Sequence, residues 1–224
     1  MKEVMIPWRN SFKFFVEQVM RHGNSFRRNE KLAFSSKNKL NKWITSRLHR
    51  LIQFVHNEMN AYRLYTVLPE LIKFIDEMSR WFIRLDKDLI KAGGGESQEG
   101  LAALFEVLFN FALLMSPFAP FFSEHAYQQL KPCLNDSEQV AESVHFLMIP
   151  TPNEAVIDPS VEESFENMKS AILVGRAVRD RNKLMVRRPL AEFFVVCSEE
   201  IKEQLVDLGG YIQNDLHVMK LTFV

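Results

Sequence analysis

The amino-acid sequence predicts a mainly α-helical fold, an antiparallel helical bundle followed by a small α+β module. Through most of the chain, apolar residues recur at intervals of three and four, which is the spacing of amphipathic helices. The 224 residues include 19 Phe and only 8 Gly, a composition that suits packed helices better than a loop-rich scaffold. Short runs of β-branched and aromatic residues, typical of strands, occur towards the C-terminus.

The bundle is predicted over residues 41–150. Its first helix carries Trp43, Leu48 and Val55 on one apolar side, and Asn41 stands where an N-cap is expected. A second helix ends at the glycines of residues 93–95. The apolar side of this second helix is predicted to consist of Leu64, Leu68, Leu71, Ile72, Ile75, Met78, Phe82, Leu85 and Leu89.

A third bundle helix, over residues 101–115, is almost wholly apolar and is therefore predicted to lie at the centre of the bundle. Pro117 and Pro120 interrupt the pattern after it, and Pro120 suits the first position of a fourth helix over residues 121–130. Helices that follow one another in this way form an antiparallel bundle.

Two regions flank the predicted bundle. Residues 1–40 contain a helical pattern and then a polar loop, and the family resemblance described below implies that they link the bundle to a preceding domain. Residues 151–224 are predicted to form the α+β module. The elements expected in this module are a helix over residues 161–185, a strand over 192–197, a short helix over 201–208 and a strand over 217–224.

The composition limits the classes of function. Cys133 and Cys197 have neither metal-binding nor redox spacing, which favours a reducing compartment. There is no apolar run as long as a membrane span, and the first residues lack the core of a signal peptide. We therefore expect a cytoplasmic protein without a membrane partner.

Charge is unevenly distributed although Lys and Arg, at 28, balance Asp and Glu, at 28. Residues 1–50 contain twelve Lys or Arg and three Asp or Glu, whereas residues 134–166 contain eight Asp or Glu and no Lys or Arg. Such separation bears on the partners of a protein rather than on its fold. It favours an anionic partner for the basic parts of the chain and leaves open a basic partner for the acidic segment.

A cluster of cations precedes the first predicted strand, and we call it the module row. A helical projection places its first three members opposite an apolar side that includes Leu173, Val174 and Val178. Few acids accompany these cations, so an anion explains the cluster better than ion pairing within a solvated helix face does. The module row consists of Arg176, Arg179, Lys183, Arg187 and Arg188.

A second cluster, the bundle row, lies on the second bundle helix and consists of Lys73, Arg80, Arg84 and Lys87, with Trp81 beside them. Cations next to an exposed aromatic ring fit single-stranded RNA, because charge binds phosphates and a ring stacks on a base. Two observations oppose this interpretation. Helical periodicity also places Trp81 at the edge of the core, and several acids lie nearby in the sequence.

No catalytic constellation is found in the sequence. Ser123, Glu124 and His125 are consecutive and cannot converge as a triad, and there is neither a phosphate-binding glycine motif nor a metal-binding HExxH motif. We therefore predict no catalytic, cofactor-binding or metal-binding residue in this chain. The absence of such motifs favours a binding module.

Several short segments, in order and at matching spacing, resemble one family over nearly the whole chain. They include NKWI, MNAYRLY and WFIR in the predicted bundle, LLMSPFAPFFSEHAYQQL across its last two helices, and GRAVRDRNKLMVRRPLAEFFVV in the module. These segments make the chain similar to the anticodon-binding domain of class I isoleucyl-tRNA synthetases of the eukaryotic cytoplasmic type. Valyl and leucyl enzymes share this helical domain, but the tyrosine-rich segment favours the isoleucyl type.

The resemblance implies the function of a part of an isoleucine–tRNA ligase, an enzyme that joins isoleucine to its tRNA in an ATP-dependent reaction. ATP would bind in a catalytic domain that is absent from this chain, so we expect no cofactor here. The expected partners are isoleucine tRNA, the catalytic domain of the same protein and other proteins of a synthetase assembly. The bundle row would contact the anticodon loop, and the module row the stem or its junction.

Two features leave alternatives open. The family's usual Trp-Tyr pair is Trp81-Phe82 here, and the arginine-rich run that often follows it is replaced by residues 85–89. Specific base contacts at this helix are therefore in question. A protein–protein docking scaffold is the alternative function from another class, since the acidic segment could face a basic partner.

Overall fold

The computed structural model describes residues 2–21, 23, 25–135, 140–185 and 187–224. It confirms the predicted mainly α-helical class and divides into two compact units, Met1–Asp158 and Pro159–Val224. Asp136 and Glu138, two members of the acidic segment, lie outside the described residues.

The first unit is a helical bundle, and short 3₁₀ turns follow its last helix at residues Lys131–Cys133, Val144–Phe146 and Glu154–Val156. The helices are α1 (Lys2–Arg21), α2 (Glu30–Ser35), α3 (Lys39–Asn60), α4 (Leu64–Asp76), a π-helical segment (Glu77–Ile83), α5 (Arg84–Ala92), α6 (Gly95–Met115) and α7 (Pro120–Leu130).

Helix α6 is the centre of the bundle, as its composition predicts. Every residue from Gly100 to Met115 is buried, and α1, α2, α3, α5 and α7 all contact the helix. By length and composition α6 could span a membrane, but 83% of that apolar window is buried inside the protein, which is the pattern of a core helix. Its buried carboxylate, Glu106, accepts hydrogen bonds of 2.6 and 2.8 Å from Arg28, so the charge is compensated.

The π-helical segment changes which residues face the core. A π-helical turn bonds residue i to i+5 and so contains more residues than an α-helical turn, which shifts everything after it around the helix axis. Asp86 and Ile90 are buried, whereas Leu85 and Leu89, predicted to face the core, are only half-buried. The prediction was wrong by one residue here because it assumed an uninterrupted α-helical period.

The beginning of the same helix also differs from the prediction. Leu64, Leu68 and Ile72, predicted to face the core, are exposed, whereas Leu71 and Ile75 are buried as predicted. Val67 and Phe74, which were not predicted to face the core, are also buried, and α1 and α3 pack against α4, so the core side of this helix is shifted relative to the sequence pattern.

The start of α3 lies upstream of its predicted position. Asn38 is the N-cap, since its side chain accepts a 2.8 Å hydrogen bond from the N–H of Leu40. Asn41, the predicted cap, is buried inside the first turn and donates to the Ser36 hydroxyl at 3.0 Å. The loop predicted before this helix contains α2, whose six residues are too few to show a helical period.

One side of α3 binds the segment that leaves the bundle. The Ser46 hydroxyl accepts from the N–H of Asp158 at 2.8 Å, and His56 Nε2 donates to the carbonyl of Pro150 at 2.8 Å. His49 Nδ1 accepts from the N–H of Asn153 at 3.1 Å, and burial lowers the pKa of His49 from 6.5 to about 4. These histidines are therefore structural residues that hold residues 150–158 against the helix.

The second unit contains α8 (Pro159–Arg181), β1 (Leu190–Val195), α9 (Glu199–Val206), α10 (Gly209–Leu216) and β2 (Val218–Phe223). The two strands pair in parallel, with Leu190 opposite Val218 and Val195 opposite Phe223, and two helices connect them. Both strands and α9 agree with the sequence pattern, whereas α10 was not predicted. A Cβ atom at Gly175 would lie 2.5 Å from Leu216 Cδ1, so this glycine permits α8 and α10 to approach closely.

Helix α8 buries a different side from the one predicted. Phe165, Met168 and Ile172 are buried with Arg179, whereas the predicted apolar side, including Leu173 and Val178, is exposed. The prediction was wrong because it assumed that a charged residue such as Arg179 marks the solvent side.

The burial of Asp86 makes a testable contribution to stability. Burial, and secondarily Glu96, raise the pKa of Asp86 from 3.8 to about 7, and its Oδ2 atom has no hydrogen-bond partner among the described residues. The folded state therefore keeps a proton that the unfolded chain loses above about pH 4, and the contribution of this group to stability declines as the pH rises towards 7.

We expect Asp86→Asn to increase the free energy of unfolding, relative to the natural chain, by about 2–3 kcal/mol more at pH 8 than at pH 5. Urea unfolding of both proteins at the two pH values measures this difference. Asp88→Asn, at an exposed neighbouring position, is the matched control and should show no such pH dependence. Equal stability changes for Asp86→Asn at both pH values would mean that the carboxyl group titrates normally.

Candidate nucleic-acid interface

The bundle row lies on one continuous helix formed by α4, the π-helical segment and α5. Lys73, Arg80 and Lys87 are exposed, and Arg84 is half-buried. Arg80 and Trp81 both belong to the π-helical segment, a rare conformation that occurs frequently at functional sites. The structure thus places three predicted phosphate-binding side chains at the surface of this helix.

Trp81 faces inward. Its side chain is 9% exposed, and the guanidinium carbon of Arg84 lies 5.8 Å from the centroid of its ring system. This is a cation–π arrangement, in which the aromatic face is covered by Arg84. The geometry matches the alternative considered for Trp81, a residue at the edge of the core, and leaves little ring surface for a base.

The acids that accompany the bundle row are mostly engaged within the protein. Glu77 is buried and pairs with Arg47 at 3.1 Å, and Asp86 is buried with a raised pKa. Asp76 pairs with Arg80 across one helical turn at 2.9 Å, and both side chains are largely exposed. Exposed surface pairs are weak, so Arg80 can exchange Asp76 for another anion at small cost.

Arg176 of the module row forms an ion pair within its own unit. Its Nη2 atom lies 2.6 Å from Asp215 Oδ1, and its Nε donates to the same oxygen at 2.9 Å. The Asp215 side chain is 3% exposed, whereas that of Arg176 is 31% exposed. Arg176 therefore compensates the charge of Asp215. Removal of one partner would be costly, because the other charge would be left buried and unpaired.

Arg179 has a structural position in the module. The residue is 1% exposed, and its guanidinium donates to the carbonyls of Leu216 at 3.1 Å, Met185 at 2.7 Å and Arg188. These bonds hold the segment after α8 and the end of α10 together. Arg179 was predicted to lie on the solvent side of α8, and this prediction was wrong. Its charge is buried and not presented at the surface.

The remaining cations of the module row are exposed. Lys183, Arg187 and Arg188 lie in the segment between α8 and β1. Lys183 has a φ of +54°, and the N–H groups of Lys183 and Leu184 donate to carbonyls of the last turn of α8 at 2.9 and 2.8 Å. This is a Schellman C-cap, whose left-handed position is usually occupied by glycine.

Two exposed tyrosines adjoin the start of α4 and were not assigned a role from the sequence alone. Tyr62 is 87% exposed and Tyr65 is 76% exposed. Periodicity does not find them, because both lie near a helix end where no repeated spacing is available. The signal that could have found them is the absence of glycine after α3, where a helix C-cap is expected.

Clusters of metal-binding side chains and cavities are the other features that could hold a ligand. In that part of the chain, no group of three His, Cys, Asp or Glu side chains is placed to bind a metal ion. A cavity of about 330 Å³ is lined mostly by apolar side chains, including Phe15 and Val19, together with Arg27 and Cys133. Burial raises the pKa of the Cys133 thiol, which disfavours the reactive thiolate.

Comparison with known proteins agrees with this geometry. The family described as the anticodon-binding domain of tRNA ligases matches residues 41–194. The chain belongs to this family of anticodon-binding domains, and the predicted function class is therefore confirmed.

Curated relatives are cytoplasmic isoleucine–tRNA ligases. A probable one from Dictyostelium discoideum is 37% identical over 98% of this chain and 21% of its own length. Those from Caenorhabditis elegans and Mus musculus are 41% and 35% identical over 99% of this chain and 20% and 18% of their own lengths. The predicted resemblance to the eukaryotic isoleucyl type and the predicted cytoplasmic localisation are confirmed. The chain spans about a fifth of the length of these relatives.

The structural position of Arg179 yields a second prediction. We expect Arg179→Met to lower the free energy of unfolding of the second unit by about 2–4 kcal/mol, because three carbonyls, among them the buried one of Leu216, lose a charged donor. Hydrogen exchange of the amides in α8 and α10 measures this local loss. Arg187→Met removes an exposed cation from the same row and should change protection by less than about 0.5 kcal/mol. Similar protection in both variants would refute the structural role of Arg179.

Proposed function

We propose that this chain binds the anticodon arm of isoleucine tRNA as part of an isoleucine–tRNA ligase, which joins isoleucine to its tRNA in an ATP-dependent reaction. Membership of the anticodon-binding family and the names of the relatives support this function. The adenylation and transfer chemistry, together with ATP, would belong to parts of the enzyme outside the matched fifth of its length. The chain itself would bind RNA without catalysing a reaction.

The proposal rests on which charged side chains face solvent on the helix that runs from α4 to α5. Lys73, Arg80 and Lys87 are exposed, whereas two of the interspersed acids, Glu77 and Asp86, are buried. The exposed side therefore has a more positive charge than the sequence suggests. A cationic surface binds the phosphates of RNA and supplies affinity and register, while contacts to bases supply specificity.

The roles within the two rows can be divided by exposure. Lys73, Arg80 and Lys87 would contact phosphates of the anticodon loop. Lys183, Arg187 and Arg188 would contact the stem or its junction. The other four predicted residues would support these surfaces from within and are Trp81, Arg84, Arg176 and Arg179.

Further partners follow from the same proposal. The catalytic domain of the enzyme would be the intramolecular partner, and other proteins of a synthetase assembly would be external partners. The described part of the acidic segment includes Glu142, Glu154 and Glu163 at exposed or half-buried positions, where a basic partner could reach them. A docking role is compatible with tRNA binding and does not replace it.

Salt dependence of RNA binding tests the role of the bundle row. We expect the 224-residue chain to bind isoleucine tRNA more tightly than a mismatched tRNA, and Lys73→Gln with Lys87→Gln to reduce the slope of log affinity against log salt by about 1–2. Filter binding across a range of salt concentrations measures both quantities. Each lost phosphate contact releases about one counterion fewer, which is the reason for the smaller slope.

The matched control is Lys13→Gln, which removes an exposed cation of α1 that pairs with Glu17. This variant should keep the slope of the natural chain. An unchanged slope in the double variant would argue against phosphate contact along α4 and α5. Failure of the natural chain to distinguish the two tRNAs would favour the docking scaffold instead.

A further inference from the structure

Helix α3 ends in a Schellman motif whose left-handed position is occupied by a tyrosine. Tyr62 has a φ of +57°, and its N–H donates to the carbonyl of Met59 at 3.0 Å. The N–H of the next residue, Arg63, donates to the carbonyl of Glu58 at 2.9 Å. These two bonds define the motif, in which glycine is the usual residue at the left-handed position because it has no Cβ to clash.

The tyrosine gains no packing in exchange for this strained conformation. The Tyr62 side chain is 87% exposed, so it does not contribute to the core. Backbone strain that persists without a structural benefit indicates a functional role for the residue that bears it. The side chain is therefore the reason to retain tyrosine where glycine would fold better.

The turn that carries Tyr62 is rigidly braced. Glu58 accepts hydrogen bonds from Arg63 Nε at 2.9 Å, from Arg63 Nη2 at 2.5 Å and from the Thr66 hydroxyl at 2.6 Å. The hydrogen bonds from Arg63, followed by that from Thr66, lower the pKa of Glu58 to about 2, so the brace stays ionised at neutral pH. A braced turn presents its side chains with little loss of entropy on binding.

A second exposed ring continues the surface along α4. Tyr65 is 76% exposed, and Leu68 and Ile72 follow it at helical spacing and are also exposed. Lys73, the first cation of the bundle row, lies eight residues beyond Tyr65, a rise of about 12 Å along the helix. Tyr65 and the cations of the bundle row thus lie on the same continuous helix, and Tyr62 lies two residues before the start of that helix.

We propose that Tyr62 and Tyr65 form a stacking surface for unpaired bases of the bound RNA. This inference rests on the proposed function and assigns base contact to these tyrosines, because Trp81 is 9% exposed and covered by Arg84. RNA is the occupant because Tyr65 and the exposed cation Lys73 of the bundle row lie on the same helix, α4. Stacking uses the π-face of a base and needs no hydrogen-bond partner on the protein.

The test uses the 224-residue chain and an RNA hairpin with the anticodon stem and loop of isoleucine tRNA, carrying 2-aminopurine at a loop adenine. Binding of the natural chain should change the 2-aminopurine fluorescence through stacking. We expect Tyr62→Gly and Tyr65→Ala each to weaken hairpin binding by about 5- to 100-fold and to reduce that change. Tyr62→Phe and Tyr65→Phe should keep most of the affinity, since they retain the ring.

Stability separates the functional effect from misfolding. Tyr62→Gly should leave the melting temperature unchanged or raise it by up to about 4 °C, because it relieves the left-handed conformation. A lower melting temperature would contradict the strained turn. The matched control is Phe121→Ala, which removes a 92% exposed ring of α7 and should not affect hairpin binding.

The outcomes distinguish the two proposals. If the natural chain binds the hairpin and Tyr62→Gly with Tyr65→Ala binds it equally well, the stacking surface is refuted while the proposed function stands. If the Phe variants lose as much affinity as the truncations, the contact depends on the hydroxyl groups and stacking is refuted. If the natural chain binds neither the hairpin nor whole isoleucine tRNA, the proposed function is refuted and the inference with it.

Discussion

The bundle depends on the fit between α6 and the long helix that runs from Leu64 to Ala92. Helix α6 is buried along most of its length, so its neighbours cover it mainly with apolar side chains. The long helix contains a π-helical segment from Glu77 to Ile83, which inserts one residue into its period and so buries Asp86 and Ile90. That insertion exchanges Leu85 for Asp86 at the core and fixes which charges reach solvent.

Charged side chains are also engaged inside the second unit, but there they are arginines. Arg179 turns inward and binds three carbonyls, and Arg176 pairs with the nearly buried Asp215. A small module with a two-stranded sheet has little apolar material, so a long cationic side chain with several donors can organise its loops. The exposed cations of the module row are then Lys183, Arg187 and Arg188, in the segment after α8.

Local patterns were sufficient to predict much of this fold. The central position of α6, the Pro120 start of α7 and both strands follow from apolar spacing, proline chemistry and β-branched runs. These features depend on neighbouring residues alone. The cationic rows could also be found in the sequence, because the positions of Lys and Arg along the chain can be read without knowing the structure.

Other features could not be derived from local patterns. A π-helical turn has no sequence signature, so a constant helical period places the residues after it incorrectly. The buried side of α8 depends on carbonyls supplied by Met185, Arg188 and Leu216, which only tertiary structure brings to Arg179. The exposed rings of Tyr62 and Tyr65 were missed because both lie near a helix end, where no repeated spacing is available.

Two buried ionisable groups of the first unit, His49 and Asp86, act against each other when acidity changes. The unfolded chain takes up a proton at His49 below pH 6.5 while the folded chain resists until about pH 4, so acidification in that interval favours unfolding. Asp86 behaves in the opposite way between about pH 4 and 7, where alkalinisation favours unfolding. The two slopes overlap and largely cancel, which flattens the acid–base response of the bundle across mildly acidic conditions. Constant stability there would thus reflect two compensating perturbations and not an absence of titrating groups.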